Sequence, residues 1–321
     1  MRKCCFIVPY FGKLSNYFQL FLKSCEANPT FDWLFFTDDI SLYNYPANVH
    51  VVQMQFEDLK RIIQSKFDFN ISLDRPYKLC DYRPAYGYLF AEYLKEYKYW
   101  GHCDIDTIMG NLEKFFPDEF LDKYDKILCL GHCTIYRNDM ETNVIFKKEL
   151  NGEELYKKVL STPKSWAFDE DHPNENINRI FEHYGYRVYH EDISLNIEIR
   201  RTKFIRTNLL YNEHIFVNER DVNALYLWDA GNICRYFRNG NQLIREDFPY
   251  IHLQKRKMKM DASVLNSERF KIIPNAFLPL EIDGELTCDN FSKVKKTGFC
   301  MHAWEVRWPY YKKRFVDIIR R

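Results

Sequence analysis

The chain has 321 residues, 46% of them hydrophobic and 17% aromatic, with a formal net charge of +1. That length supports one large α/β domain with a C-terminal extension. The near-neutral charge excludes a global attraction to nucleic acid, so no nucleic-acid partner is expected.

In chain order, residues 4–8 form a short apolar run that Pro9-Tyr10-Phe11-Gly12 ends. It follows a basic start but is too short for a signal peptide's apolar core and reads as a first strand. Ser15 is placed to cap a helix whose apolar face is Phe18, Phe21, Leu22 and Cys25, and Pro29 stops it. Residues 33–36 make a second strand ending in Thr37-Asp38-Asp39, residues 49–54 a third, and residues 56–67 a helix. This alternation predicts a Rossmann-like, mostly parallel sheet flanked by helices. Pro84 opens a helix with Tyr86, Leu89, Phe90, Tyr93, Leu94 and Tyr97 on one face. Residues 99–103 then enter the sheet and deliver Asp104-Ile105-Asp106 at its carboxyl end, and a strand over 126–130 leads to Gly131-His132-Cys133. Beyond residue 150 the alternation weakens. A helix starting at Pro173 buries Ile177, Ile180, Phe181 and Tyr184 and stops at Gly185, and residues 186–260 read as short strands and loops.

Asp104-x-Asp106 is the strongest chemical signal. In extended backbone, residues two apart project to one side, so both carboxylates can face one cation. Oxygen ligands of this kind suit Mg²⁺ or Mn²⁺, which in turn hold a diphosphate, and strand carboxyl ends are where open α/β sheets bind ligands. His252, in Tyr250-Ile-His-Leu-Gln-Lys255, is a candidate third ligand, with Lys255 offsetting phosphate charge; a satisfied histidine in a basic loop is the alternative. Lys78, Asp81 and Arg83 precede the expected helix start at Pro84, a place that favours anions. Asp38 and Asp39 follow the second strand, where a ribose or base is gripped. Asp169, Glu170 and Asp171 stand ahead of the 173 helix, and one of them could take a proton from an attacking sugar hydroxyl. Trp166 and His132 are the candidate acceptor contacts. Cys129 and Cys133 flank His132 but lack the partners of a zinc site. The ten cysteines have no CxxC pair and fit a reducing cytoplasm. No stretch approaches the ~20 apolar residues of a membrane span.

Residues 293–321 carry nine Lys or Arg against Glu305 and Asp317, interleaved with Trp304, Trp308, Tyr310, Tyr311 and Phe315. Basic and aromatic residues together point to an anionic membrane surface, which would place the protein peripherally on the inner face of the plasma membrane; a nucleic-acid patch and a solvated helix are the alternatives.

The stretches 7–12, 36–39, 76–87, 100–106 and 252–258 together resemble a family of bacterial GT-A glycosyltransferases of capsule and O-antigen assembly. The resemblance implies a GT-A fold over residues 1–260, with a nucleotide-binding half at 1–115, an acceptor half at 116–260 and an extension at 261–321. It implies a nucleotide-sugar donor, a UDP-sugar in the first instance, held by Pro9, Tyr10, Phe11, Asp38, Asp39, Lys78, Asp81, Arg83 and Lys255. It also implies Mn²⁺ or Mg²⁺ on Asp104, Asp106 and His252, and a glycan or lipid-linked glycan acceptor. A base among Asp169–Asp171 favours inversion at the anomeric carbon. Two other classes compete: a metal-dependent phosphotransferase or nuclease, which needs a second metal site, and a non-catalytic sugar-binding assembly protein. An oxidoreductase is disfavoured, since no GxGxxG follows the first strand.

Overall fold

The computed structural model describes residues 2–197, 203–210, 212–220, 222–282 and 284–295, together with 301, 304, 308, 311 and 312. The first half alternates as expected: β1 (Arg2–Pro9), α1 (Phe18–Glu26), β2 (Phe31–Thr37), β3 (Val49–Gln53), α2 (Phe56–Gln64), β4 (Tyr97–Cys103) and β5 (Thr107–Met109). With β6 (Lys126–Ile127), β7 (Cys133–Arg137) and β8 (Val188–Tyr189), these strands build a seven-stranded sheet of order β3-β2-β1-β4-β7-β6-β8, which β5 does not join. Strands β1 to β4 run parallel, β7 is antiparallel to both its neighbours, and β6 and β8 are parallel. The α/β class with a mixed, mostly parallel sheet is therefore the class observed.

Both faces of this sheet are covered, which is why β1 and β2 read as unbroken apolar runs instead of alternating. One face packs Trp100, Tyr82, Tyr86, Phe146 and Phe181, the other Phe6, Trp33, Phe18 and Phe21. At the centre the strands approach too closely for a side chain. A Cβ on Gly101 would lie 2.5 Å from the Thr134 carbonyl oxygen and 2.9 Å from the Phe6 ring.

The helix expected from Pro84 is broken. Pro76–Ala85 is a 3₁₀ run, followed by a single α-turn at Tyr86–Leu89 and a 3₁₀ turn at Ala91–Tyr93. Pro84 has no N–H to join an α ladder, and Gly87 lies where a Cβ would meet the Trp100 indole nitrogen at 2.5 Å. The apolar face is nevertheless buried at Tyr86, Leu89, Phe90 and Leu94, and Tyr93 is exposed. The helix expected from Pro173 begins later, as α3 (Ile177–His183), where Asn176 accepts the Asn178 N–H at 2.9 Å; Tyr184 lies beyond it, exposed, and Gly185 turns with φ +72°.

The second half forms a different sheet. After the hairpin β9 (Thr207–Leu210) and β10 (Ile215–Asn218) come β11 (Ala224–Asp229), β12 (Asn232–Asn239), β13 (Gln242–Phe248), β14 (Tyr250–His252), β15 (Lys259–Met260), β16 (Arg269–Ile273) and β17 (Ala276–Pro279). Six of these make a sheet of order β13-β12-β11-β16-β17-β15. The boundary expected at residue 260 falls inside it. Residues 259–260 take their ladder partners from 276–277, so 261–279 cannot be an extension separate from the strands before it. Helix α4 (Cys288–Val294) covers the outer face, with Phe291 and Val294 on Leu225, Leu227 and Cys234. Most of the basic tail at 304–321 lies outside the described residues.

Lys78 and Asp81, expected at the donor, are buried in the core and do not line the large cavity described below. Lys78 Nζ donates to Asp81 Oδ2 at 2.8 Å and to the carbonyls of Val159 at 2.9 Å and Lys164 at 2.8 Å. Asp81 accepts the N–H groups of Trp166 and Phe168. The pair fastens the segment that leads to Asp169. Removing one partner of a buried ion pair strands the other charge, so Lys78→Met is expected to lower stability by about 3–5 kcal/mol in urea denaturation. Donor affinity of the folded fraction should be unchanged; lost affinity at wild-type stability would return Lys78 to the cavity.

Candidate active site

The first sheet alone cannot complete the site. Strand β4 ends at Cys103, and the Asp104 carbonyl accepts the Thr107 hydroxyl at 2.7 Å, turning the chain into β5. Strand β5 pairs antiparallel with β14, in a register that sets His252 opposite Thr107, and the Leu253 N–H donates to the Asp106 carbonyl at 2.8 Å. This two-stranded ribbon carries a late residue onto the Asp104–Asp106 turn.

Asp104, Asp106 and His252 bring one ligand atom each to within 4.8 Å of one another. Each uses one atom for anchorage and turns another toward the shared position. Asp104 Oδ1 accepts from Arg83 while Oδ2 lies 3.8 Å from His252 Nε2. Asp106 Oδ2 accepts the Lys255 N–H while Oδ1 lies 3.5 Å from His252 Nε2. His252 Nδ1 lies 3.0 Å from Asn196 Oδ1, which fixes the proton there and leaves Nε2 as the ligating atom. Ligands at roughly 2.1 Å from one ion stand no more than about twice that apart, so the two measured separations fit a divalent cation. Two carboxylates and an imidazole are the donor set of Mn²⁺ or Mg²⁺ rather than of a thiolate-seeking metal.

The charges are strongly coupled. Burial works to raise the Asp106 carboxyl, but His252 and the Lys255 N–H pull it down to about 2. Burial favours a neutral His252, and Asp106 and Asp104 outweigh it and raise the ring's pKa. Behind His252 lies His132, its ring stacked at 4.4 Å and its Nδ1 3.0 Å from the Tyr250 hydroxyl. Burial keeps His132 neutral.

This position opens onto a cavity of about 800 Å³ whose walls include Pro9, Tyr10, Phe11, Arg83, Glu170 and Lys255. Within its lining Lys255 Nζ sits 4.1 Å above the Tyr77 ring. Consecutive left-handed residues, Gln254 at φ +51° and Lys255 at φ +58°, aim the Lys255 N–H at Asp106. Arg83 links two acidic groups: Nη2 reaches Asp104, and Nη1 donates to Asp169 Oδ2 at 2.8 Å and to the Gly131 carbonyl at 2.6 Å. Gly131 must lack a side chain, since a Cβ would lie 2.5 Å from Asp169 Oδ2 and 2.9 Å from Glu170 Cγ.

The three acids at 169–171 separate by environment. Asp169 is buried on Arg83, and burial pushes its carboxyl up to about 7 against that guanidinium. Glu170 reaches the open cavity, where enclosure by protein and the Asp104 charge raise its carboxyl while Arg83 opposes them. Asp171 is buried toward His214, at 3.2 Å, and Arg179, at 3.7 Å, away from the cavity wall.

Several expected contacts are bracing instead. Asp38 Oδ1 accepts the Gly12 N–H at 2.7 Å and Asp39 Oδ2 the Leu14 N–H at 2.9 Å, so both hold the loop after β1 and neither lines the cavity. Trp166 donates its indole N–H to the Glu175 carbonyl at 3.2 Å and is not a cavity wall. His132, the other expected acceptor contact, is stacked behind His252 and does not line the cavity. Asn196, which meets His252 Nδ1, and Tyr77, which lines the cavity, were not singled out from the sequence; Tyr77 falls in the 76–87 stretch beside Lys78, and nothing near Asn196 marks it.

The chain belongs to DUF6625, a family of unknown function, whose model matches residues 6–281. No curated protein matches it. Among solved structures it is similar to the galactosyltransferase LgtC in complex with donor and acceptor sugar analogues, at 12% identity and a TM-score of 0.34, over 60% of this chain and 75% of that one. An active-site mutant of LgtC shows 10% identity and a TM-score of 0.33 over the same shares. Likenesses at this level assign neither donor nor acceptor.

His252 must lose its proton before Nε2 can ligate, and its pKa lies above the ordinary imidazole value. Mn²⁺ affinity measured by calorimetry should therefore rise with pH across and above roughly 6.5 and level off once the ring is neutral. His252→Ala should bind more weakly and lose that slope; a slope that survives assigns the proton elsewhere.

Proposed function

We propose that this protein is a divalent-metal-dependent GT-A glycosyltransferase that takes its sugar from a nucleotide-sugar donor. The observation that carries the reading is the anchorage of Asp104, Asp106 and His252, each tied by one atom and converging by another at the wall of one cavity. A divalent cation held there supplies positive charge to a diphosphate leaving group. The chain's own residues do the rest. Pro9, Tyr10 and Phe11 wall the nucleoside end, and Lys255 stands in the lining with its ammonium available to phosphate. Arg83, fixed by Asp104 and Asp169, orients the sugar ring's hydroxyls. Glu170 is the one of the three neighbouring acids that reaches the cavity, and its raised carboxyl suits a base that accepts the proton of an attacking hydroxyl. A carboxylate base of this kind fits displacement with inversion. The acceptor, a glycan or lipid-linked glycan of bacterial surface-polysaccharide synthesis, and the UDP class of donor rest on sequence resemblance alone.

A two-cation phosphotransfer reading is disfavoured by Arg83, whose guanidinium already occupies the other oxygen of Asp104.

Incubation with a panel of nucleotide sugars and Mn²⁺, following release of free nucleotide, should find one donor turned over. Asp104→Asn and Asp106→Asn should abolish that turnover while remaining folded, and full activity in excess EDTA would falsify the metal role. Glu170→Gln should lower kcat by about 10²–10⁴-fold with donor affinity unchanged. Normal turnover by this variant removes Glu170 as the base.

A further inference from the structure

The C-terminal segment carries a surface that the proposed reaction does not use. Residues 282–321 lie beyond the stretch matched by the family model, and α4 fastens their start to the second sheet. Farther on, Trp304, Trp308 and Tyr311 stand in helical conformation and, with Met301, are 46–57% exposed. The Trp304 N–H donates to the Met301 carbonyl at 2.8 Å, and the two indole rings lie 5.8 Å apart between centroids. The separation of the two rings sets Trp304 and Trp308 side by side, both exposed. Single exposed apolar side chains are ordinary on a protein surface, but large ones gathered on one face mark an interaction site.

Charge selects the occupant. Nine Lys or Arg against two acids in residues 293–321 give this segment a strong positive charge, and the remainder of a chain of net +1 is acidic. Lys312 is described, exposed and next to Tyr311 in helical conformation. Symmetric pairing of this segment with that of a second copy would bring like charge against like. An anionic bilayer offers both things the segment presents: negative charge for the cations and a headgroup layer where indole and phenol rings are favoured. No described helix is long and apolar enough to cross a membrane. We propose that the exposed rings of Trp304, Trp308 and Tyr311 dock on an anionic lipid surface, at headgroup depth, with the segment's cations against the lipid phosphates. This inference does not depend on the reaction assigned to the cavity.

Co-sedimentation of the full-length protein with vesicles tests it, using neutral phosphatidylcholine alone and phosphatidylcholine enriched in phosphatidylglycerol. The protein should pellet with the anionic vesicles at low salt, with a blue shift in indole emission, and stay in solution with the neutral ones. High salt should release it. Trp304→Ala combined with Trp308→Ala should abolish pelleting, and Lys312→Gln should weaken it about fivefold, the effect of one cation at an anionic surface. Circular dichroism of each variant serves as the folding control. Failure to pellet with anionic vesicles at low salt overturns the proposal, as does equal binding to both vesicle types. A wild-type dimer that the double Trp variant dissociates overturns it in favour of a second copy.

Discussion

The structure around the cavity depends on one electrostatic constraint: two carboxylates must be held close enough to share an ion without driving each other apart. In low dielectric their repulsion is large, and each must be offset locally. The protein does so by giving every ligand a second, fixed partner. Arg83 takes one oxygen of Asp104, the Lys255 N–H one oxygen of Asp106, and Asn196 the far nitrogen of His252. The remaining three atoms are left facing a common point. Preorganisation of this kind spares the cation the cost of gathering its own ligands.

Much of the fold serves those three anchors. The β5–β14 ribbon exists between the two sheets and aligns His252 with Thr107. The second sheet positions the strand from which that ribbon departs, since β13 ends at Phe248 and β14 begins at Tyr250. On the opposite side, the buried Lys78–Asp81 pair holds the chain at 166–168, so that Asp169 arrives under Arg83. Arg83 thereby joins the two halves of the site: its orientation depends on an acid from each.

The neighbouring acids show how environment divides like residues into different tasks. Asp169 is spent on Arg83, Asp171 on His214 and Arg179, and only Glu170 is left facing open space. Three consecutive carboxylates are alike in sequence. What separates them is the local path of the chain, set by Ala167 in a left-handed conformation at φ +59° and by the absence of a side chain at Gly131.

The sequence by itself determined the parallel half of the first sheet, because continuous apolar runs at 4–8 and 33–36 have no stable place except between two covered faces. The carboxylate pair was legible as a candidate, but its convergence rests on the turn that the Thr107 hydroxyl closes on the Asp104 carbonyl and not on the extended backbone expected. His252 was legible as a candidate, but its arrival beside Asp106 was decided by strand pairing between distant segments. The same holds for the residues that lie away from the cavity. Asp38, Asp39, Lys78 and Asp81 have the charge and local position of donor contacts, yet backbone N–H groups and buried partners from elsewhere in the chain claimed them first. The boundary at 260 vanished for a related reason, since the partners of 259–260 lie at 276–277. Periodicity and local spacing fix which side of an element a residue occupies. Only the tertiary fold decides what stands opposite it, and for a buried charge that opposing group determines whether it binds a ligand or braces a loop.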